Sequence, residues 1–136
     1  MNNAPALAEW IIDQVADALI YADQAGNIVF WNPAASRLFG YSATEAVGSS
    51  LDIIIPEHLR AAHWAGFNAA ISNGRLRLQG RPTLTRALCK DGQKRYVEMT
   101  FALVKDPDGV AIGSVAMARD VTERVKKERA ARNTGA

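Results

Sequence analysis

The chain has 136 residues, 49% of them apolar and 22% charged, with a net charge of +2, the profile of one soluble globular domain with a single core. One cysteine, Cys89, rules out an intrachain disulfide and a cysteine zinc site; it is expected as a small buried apolar residue on a strand. No stretch reaches the roughly 20 apolar residues of a membrane span, and Glu9, Asp13 and Asp17 interrupt the first apolar run, so no signal peptide and no membrane partner are expected and the location is read as cytoplasmic.

Residues 1–17 read as an N-terminal cap. Met1 to Pro5 is expected to be disordered. Leu7, Trp10, Ile11, Ile12 and Val15 then recur at helical spacing, with acidic residues between them, which predicts a short amphipathic helix. That face is to be buried either on the domain's own sheet or against a second copy, and the second copy is the leading reading. Leu7, Trp10, Ile11 and Val15 are therefore the expected interface of a homodimer joined through these helices.

Residues 18–119 read as the core. Ala18–Ala22 and Ile28–Trp31 form a hairpin, with Gly26 in the turn. Asn32 caps a helix that opens on Pro33 and ends near Gly40. Ser42-Ala43-Thr44-Glu45 has capping-box spacing and starts a second helix, ended by Gly48. A turn or short helix over Leu51–Ile55 leads to the main helix, Glu57 to Asn73, with Gly74 just past its end. Leu59, His63, Phe67 and Ile71 share one face of that helix. Three strands follow: Thr83–Cys89, Arg95–Lys105 and Val110–Arg119. Turns at Asp91-Gly92 and at Asp106-Pro107-Asp108-Gly109 join them. In the middle strand Val97, Met99, Phe101 and Leu103 face one side, and Tyr96, Glu98 and Thr100 the other. The result is an α+β domain, one antiparallel sheet with its helices on one face.

Residues 120–136 form a basic helix or tail. From Arg119 onward there are six Lys/Arg and three Asp/Glu. The segment lacks interleaved aromatics for base stacking, so it reads as a solvated helix face, with no nucleic-acid partner. No Ser/His/Asp set, paired carboxylates, phosphate-binding glycine loop or metal spacing beyond a lone histidine is present, and the chain is not expected to be an enzyme.

The joint order of several motifs resembles the PAS sensor family from about Trp10 to Arg124. They are Asp23 to Ile28, Trp31-Asn32-Pro33-Ala34-Ala35, Phe39-Gly40-Tyr41, Glu45 to Gly48, Lys90-Asp91-Gly92 and Asp120-Val121-Thr122-Glu123. The resemblance implies a five-stranded antiparallel sheet cupped around a small pocket. It implies a ligand or cofactor whose state leaves through the helix after the last strand, here at Asp120, Thr122 and Glu123. The output would be an effector protein, transcriptional regulation included. With no effector domain in these 136 residues, the signal is expected to leave by contact, through either terminal helix or the outer sheet face bearing Leu84 and Leu88, or else the chain is a piece of a longer sensor.

The pattern is nearest to the haem-binding PAS domains of rhizobial oxygen-sensor kinases. Pro56 to His63 is similar to the segment that supplies their proximal histidine, and His63 falls on that ligand. The resemblance thus implies haem b, with His63 on the iron and Leu59, Phe67, Leu78, Met99 and Phe101 around it, Met99 being able to act as a sixth ligand. Two positions depart. Ala69 stands where the relatives place a propionate-binding arginine, and Thr83 where they place a distal one; Arg75, Arg77 and Arg81 are the available substitutes. The flavin-adduct members need an Asn-Cys-Arg sequence in the helical region, which is absent. The alternative is a ligand-free interaction and dimerisation module in which His63 is a hydrogen-bonded histidine at the edge of the core. His58 is expected to be exposed, and Trp31 and Trp64 to be core or pocket-rim aromatics.

Overall fold

The computed structural model describes residues 4–76 and 80–134. In order they form α1 (Ala4–Gln14), β1 (Ala18–Asp23), β2 (Ile28–Trp31), α2 (Pro33–Phe39), α3 (Ala43–Ala46), two 3-10 turns (Leu51–Ile54 and Glu57–Leu59), α4 (Arg60–Asn73), β3 (Thr83–Leu88), β4 (Lys94–Lys105), β5 (Ala111–Asp120) and α5 (Thr122–Thr134). The five strands make one antiparallel sheet in the order β2-β1-β5-β4-β3. The helical run between β2 and β3 packs over one face.

Local chemistry explains most boundaries. The Asp23 carboxylate accepts from the Ala25 and Asn27 amides, and Gly26 takes a φ of 83°, closing the first hairpin. Asn32 caps α2, and its Oδ1 accepts from the Ala35 amide; Gly40 ends the helix at a left-handed φ of 87°. Ser42 and Glu45 form the reciprocal capping box of α3. Gly74 ends α4 in the same left-handed way.

Several boundaries differ from expectation. α1 begins at Ala4, with Pro5 in its first turn. It ends at Gln14, so Val15 lies just past it, although its amide still donates to the Ile11 carbonyl. The main helix starts with a tight turn, since Leu59 N–H donates to the Pro56 carbonyl, and becomes α-helical only at Arg60. Cys89 sits one residue beyond β3, where its backbone pairs with Gln93 to close the hairpin. It is buried, with Sγ 3.5 Å from the Leu38 carbonyl oxygen.

The core lies between the helical layer and the sheet. Ile20, Ile28, Phe39 and Val97 are among its fully buried residues. Trp31 belongs to it: its ring packs on Phe39 at 5.6 Å and its N–H donates to Ser36 Oγ and the Tyr41 carbonyl. α5 turns back toward the opposite face. Arg129 lies over the Tyr96 ring, whose other cationic neighbour is Arg86, and Arg124 pairs with Glu98.

Candidate functional site

Between sheet and helices lies a cavity of about 330 Å³, at the lower end of the roughly 300–1,000 Å³ of small-molecule pockets. Inward-pointing residues of alternating strands make its floor: Ile20 and Ala22 on β1, Ser114 and Ala116 on β5, Met99 and Phe101 on β4, and Thr83, Thr85 and Ala87 on β3. Leu51, Ile54 and Ile55 close one side. Leu59, His63 and Phe67 project from the helical layer, because a spacing of four repeats one helix face. The cavity exists because the floor is built on alanine. Ala22, Ala87 and Ala116 are buried at positions where a branched side chain would fill the space.

Five of the six residues expected around a ligand therefore line one space: His63, Leu59, Phe67, Met99 and Phe101. Leu78, like Arg77, lies outside the described residues. Ser114, Thr85, Ala87 and Ala116 also line it and were not anticipated; extending the alternation to β3 and β5 would have found them. Beyond Phe101 is a second cavity lined by Arg75 and Lys105, among others.

His63 is half-buried. Its Nδ1 is buried and has no hydrogen-bond partner, which departs from the hydrogen-bonded structural histidine of the alternative reading. Burial lowers its pKa; the Asp52 carboxylate opposes this only in part. The imidazole is thus neutral at pH 7, with a nitrogen free to accept a donor or bind a metal. Its ring meets Trp64 edge-on at 4.7 Å and lies 5.9 Å from Phe67. His58 is exposed. Among the described residues no group of three or more His, Cys, Asp or Glu could hold a metal, and no helix is long and apolar enough to cross a membrane.

The terminal residues are placed apart from the cavity. Leu7, Trp10 and Ile11 stand exposed on α1, at 51%, 59% and 54%, and Val15 is half-buried. Asp120 closes β5. Its carboxylate accepts from the Thr122 amide and pairs with Arg95 at 3.1 Å, while Thr122 Oγ1 accepts from the Tyr96 amide. Glu123 is exposed and pairs with Lys126. Burial alone would raise the Asp120 pKa, but the Thr122 and Arg95 hydrogen bonds outweigh it and hold the pKa below its ordinary value. A depressed carboxyl pKa stabilises the fold above the unfolded pKa, and that contribution is lost as pH falls through the folded one. Amide exchange of α5, corrected for its intrinsic pH dependence, is therefore expected to rise as pH falls below the ordinary aspartate pKa of about 3.9. In Asp120→Asn it should be raised already at pH 7 and show a smaller acid step. An unchanged acid step in the variant would remove Asp120 from this role.

The family model for the PAS fold matches residues 12–126. The chain is a PAS domain. It is similar to the oxygen sensor protein DosP of Escherichia coli (strain K12), with 30% identity over 118 residues, covering 86% of this chain and 14% of that protein. It is also similar to the sensor protein FixL of Bradyrhizobium diazoefficiens, with 42% identity over 53 residues, covering 39% of this chain and 10% of that protein. The chain thus spans a small part of the curated relatives it matches. Among solved structures, a PAS domain from Colwellia psychrerythraea superimposes with a TM-score of 0.76 at 24% identity, over 88% of this chain and 98% of that one. An RNA-binding light-oxygen-voltage receptor does so with a TM-score of 0.74 at 27% identity, over 93% and 35%. The PAS domain is therefore homologous to sensor proteins.

Proposed function

We propose that this PAS domain is a cytoplasmic sensory module whose inner cavity would take haem b, with His63 holding the iron, and that it reports the state of the cavity through α1 and α5 to an effector protein. The observation that carries the reading is His63 itself, a neutral imidazole with a buried, unpartnered Nδ1, on the wall of an apolar cavity. Bound haem would supply an iron centre for gas or redox sensing. His63 would contribute the lone pair. Met99 and Phe101 stand on the β4 wall, and the alanine floor gives the room. Arg86 on the main cavity, and Arg75 and Lys105 in the cavity beyond Phe101, are described cations that could pair with carboxylates where Ala69 offers nothing. A flavin-thiol adduct has no support here, because Cys89 lies under Leu38 and not on the cavity wall.

A second reading concerns association. The exposed Leu7, Trp10 and Ile11 of α1 support a homodimer joined through these helices. Sedimentation at tens of micromolar would test this; a monomer would count against it.

Ala116→Leu tests the cavity reading. Ala116 is buried on the central strand opposite Ile20 and Phe101, so a leucine there projects into the cavity. Affinity for ferric haem, followed by quenching of tryptophan emission, is expected to fall by about tenfold or more, equivalent to about 1.4 kcal/mol. Packing strain should cost no more than about 1–3 kcal/mol of stability. Unchanged affinity in a folded variant would place haem elsewhere.

A further inference from the structure

Trp64 follows His63 on α4, but its ring turns away from the cavity and onto the turn between β1 and β2. A Cβ built on Gly26 would collide with the Cη2–Cζ3 edge of that ring. Gly26 therefore meets two demands, a φ of 83° and a close approach by the indole. The Trp64 N–H donates to Asp52 Oδ1 at 2.7 Å, and Asp52 lies in the 3-10 turn Leu51–Ile54. The Leu51 amide in turn donates to the Gly26 carbonyl at 3.0 Å. Hairpin turn, 3-10 turn and α4 are thus closed into one ring of contacts. Elsewhere α4 is held at its first turn by Arg60, whose side chain donates to the Ile55 carbonyl at 3.0 Å and the Asp52 carbonyl at 3.3 Å, while Ala70 is its one buried residue. A helix with so little buried surface needs a specific contact to fix its rotation, and rotation decides where His63 points.

We infer that Trp64 is a positioning residue: clasped between Gly26 and Asp52, it seats α4 over the cavity, aims His63 into it and governs how fast a cavity ligand exchanges. The part about His63 rests on the reading of that residue as the ligand-contacting group. The part about α4 does not.

The test uses the whole chain with two readouts, amide hydrogen exchange of α4 in the ligand-free protein and the rate at which ferric haem passes to apomyoglobin. Gly26→Ala puts a methyl group into the indole. Gly92→Ala is its control, since Gly92 has a φ of 86° with nothing within 4 Å, so it carries the backbone strain without the collision. Trp64→Phe keeps a ring but loses the donor, and serves if Gly26→Ala does not fold. In Gly26→Ala, α4 amides are expected to exchange about tenfold faster than in Gly92→Ala, with β4 and β5 amides unchanged. Haem transfer should quicken in parallel, and Trp64→Phe should show the same changes in smaller degree. In a Trp64→Leu background, Gly26→Ala should add no more than Gly92→Ala does. Equal α4 exchange in Gly26→Ala and Gly92→Ala would overturn the inference, as would a Trp64→Phe indistinguishable from wild type. If wild type takes up no haem while α4 responds as expected, the haem reading fails and the clasp stands. If haem binds and α4 does not respond, the clasp alone fails.

Discussion

Asn32→Ala is expected to lower stability by about 3 kcal/mol, more than any surface change in this domain. Asn32 is completely buried, and one side chain serves four backbone groups. Its Oδ1 accepts from the Leu19 amide of β1 and the Ala35 amide of α2, both at 2.9 Å. Its Nδ2 donates to the Ile12 carbonyl of α1 at 3.0 Å and to the Asp17 carbonyl at 3.1 Å. Alanine would strand all four where water reaches them poorly, and an unpaired buried polar group costs about 1–3 kcal/mol. Asn32→Asp should also be destabilised: it keeps an acceptor but cannot donate to Ile12 or Asp17, and it buries a charge. Urea unfolding checks both. A loss below about 1 kcal/mol for Asn32→Ala would mean that water or relaxation replaces the network. Because Ile12 is one of the partners, the same variant should loosen the end of α1, the helix that carries the exposed apolar face.

His63→Ala is expected to weaken ferric-haem binding by more than about 100-fold. Loss of a supporting residue beside a metal ligand already costs about 10–100-fold in affinity, and loss of the ligand should cost more. The substitution leaves the cavity larger and still apolar, so residual haem would partition into it without a nitrogen on the iron. Imidazole added in solution should restore a wild-type absorption spectrum to the variant. The fold itself should tolerate the change, because Nδ1 makes no hydrogen bond that alanine would break. A variant that binds haem as tightly as wild type, with the same spectrum, would return His63 to a purely structural part.

Much of the frame was legible from short-range chemistry. Asn32-Pro33 marked the start of α2, Ser42 and Glu45 marked α3, and the alternation from Val97 to Leu103 marked the inner face of β4. These signals act within a few residues, so reading along the chain finds them. The sheet order was not legible in that way. It places β1 between β2 and β5, and the pairing of Ala18 with Ala118 joins opposite ends of the fold; the family resemblance supplied the five-stranded antiparallel sheet but not its order. The helical wall of the cavity followed from the spacing of Leu59, His63 and Phe67. The cavity itself did not, because it depends on three small residues, Ala22, Ala87 and Ala116, meeting from three strands. The seating of Trp64 on Gly26 and the return of Arg129 to Tyr96 were equally hidden, being contacts between elements whose relative placement only the folded chain decides.

The most direct test of the central claim is a titration of wild-type apoprotein with ferric haem, followed in the Soret region. The account predicts a sharp band that saturates at one haem per chain, with the spectrum of a histidine-ligated iron. A broad band that grows in proportion to added haem, without saturation, from a folded protein would contradict it. The cavity would then belong to another apolar ligand or to an interaction module.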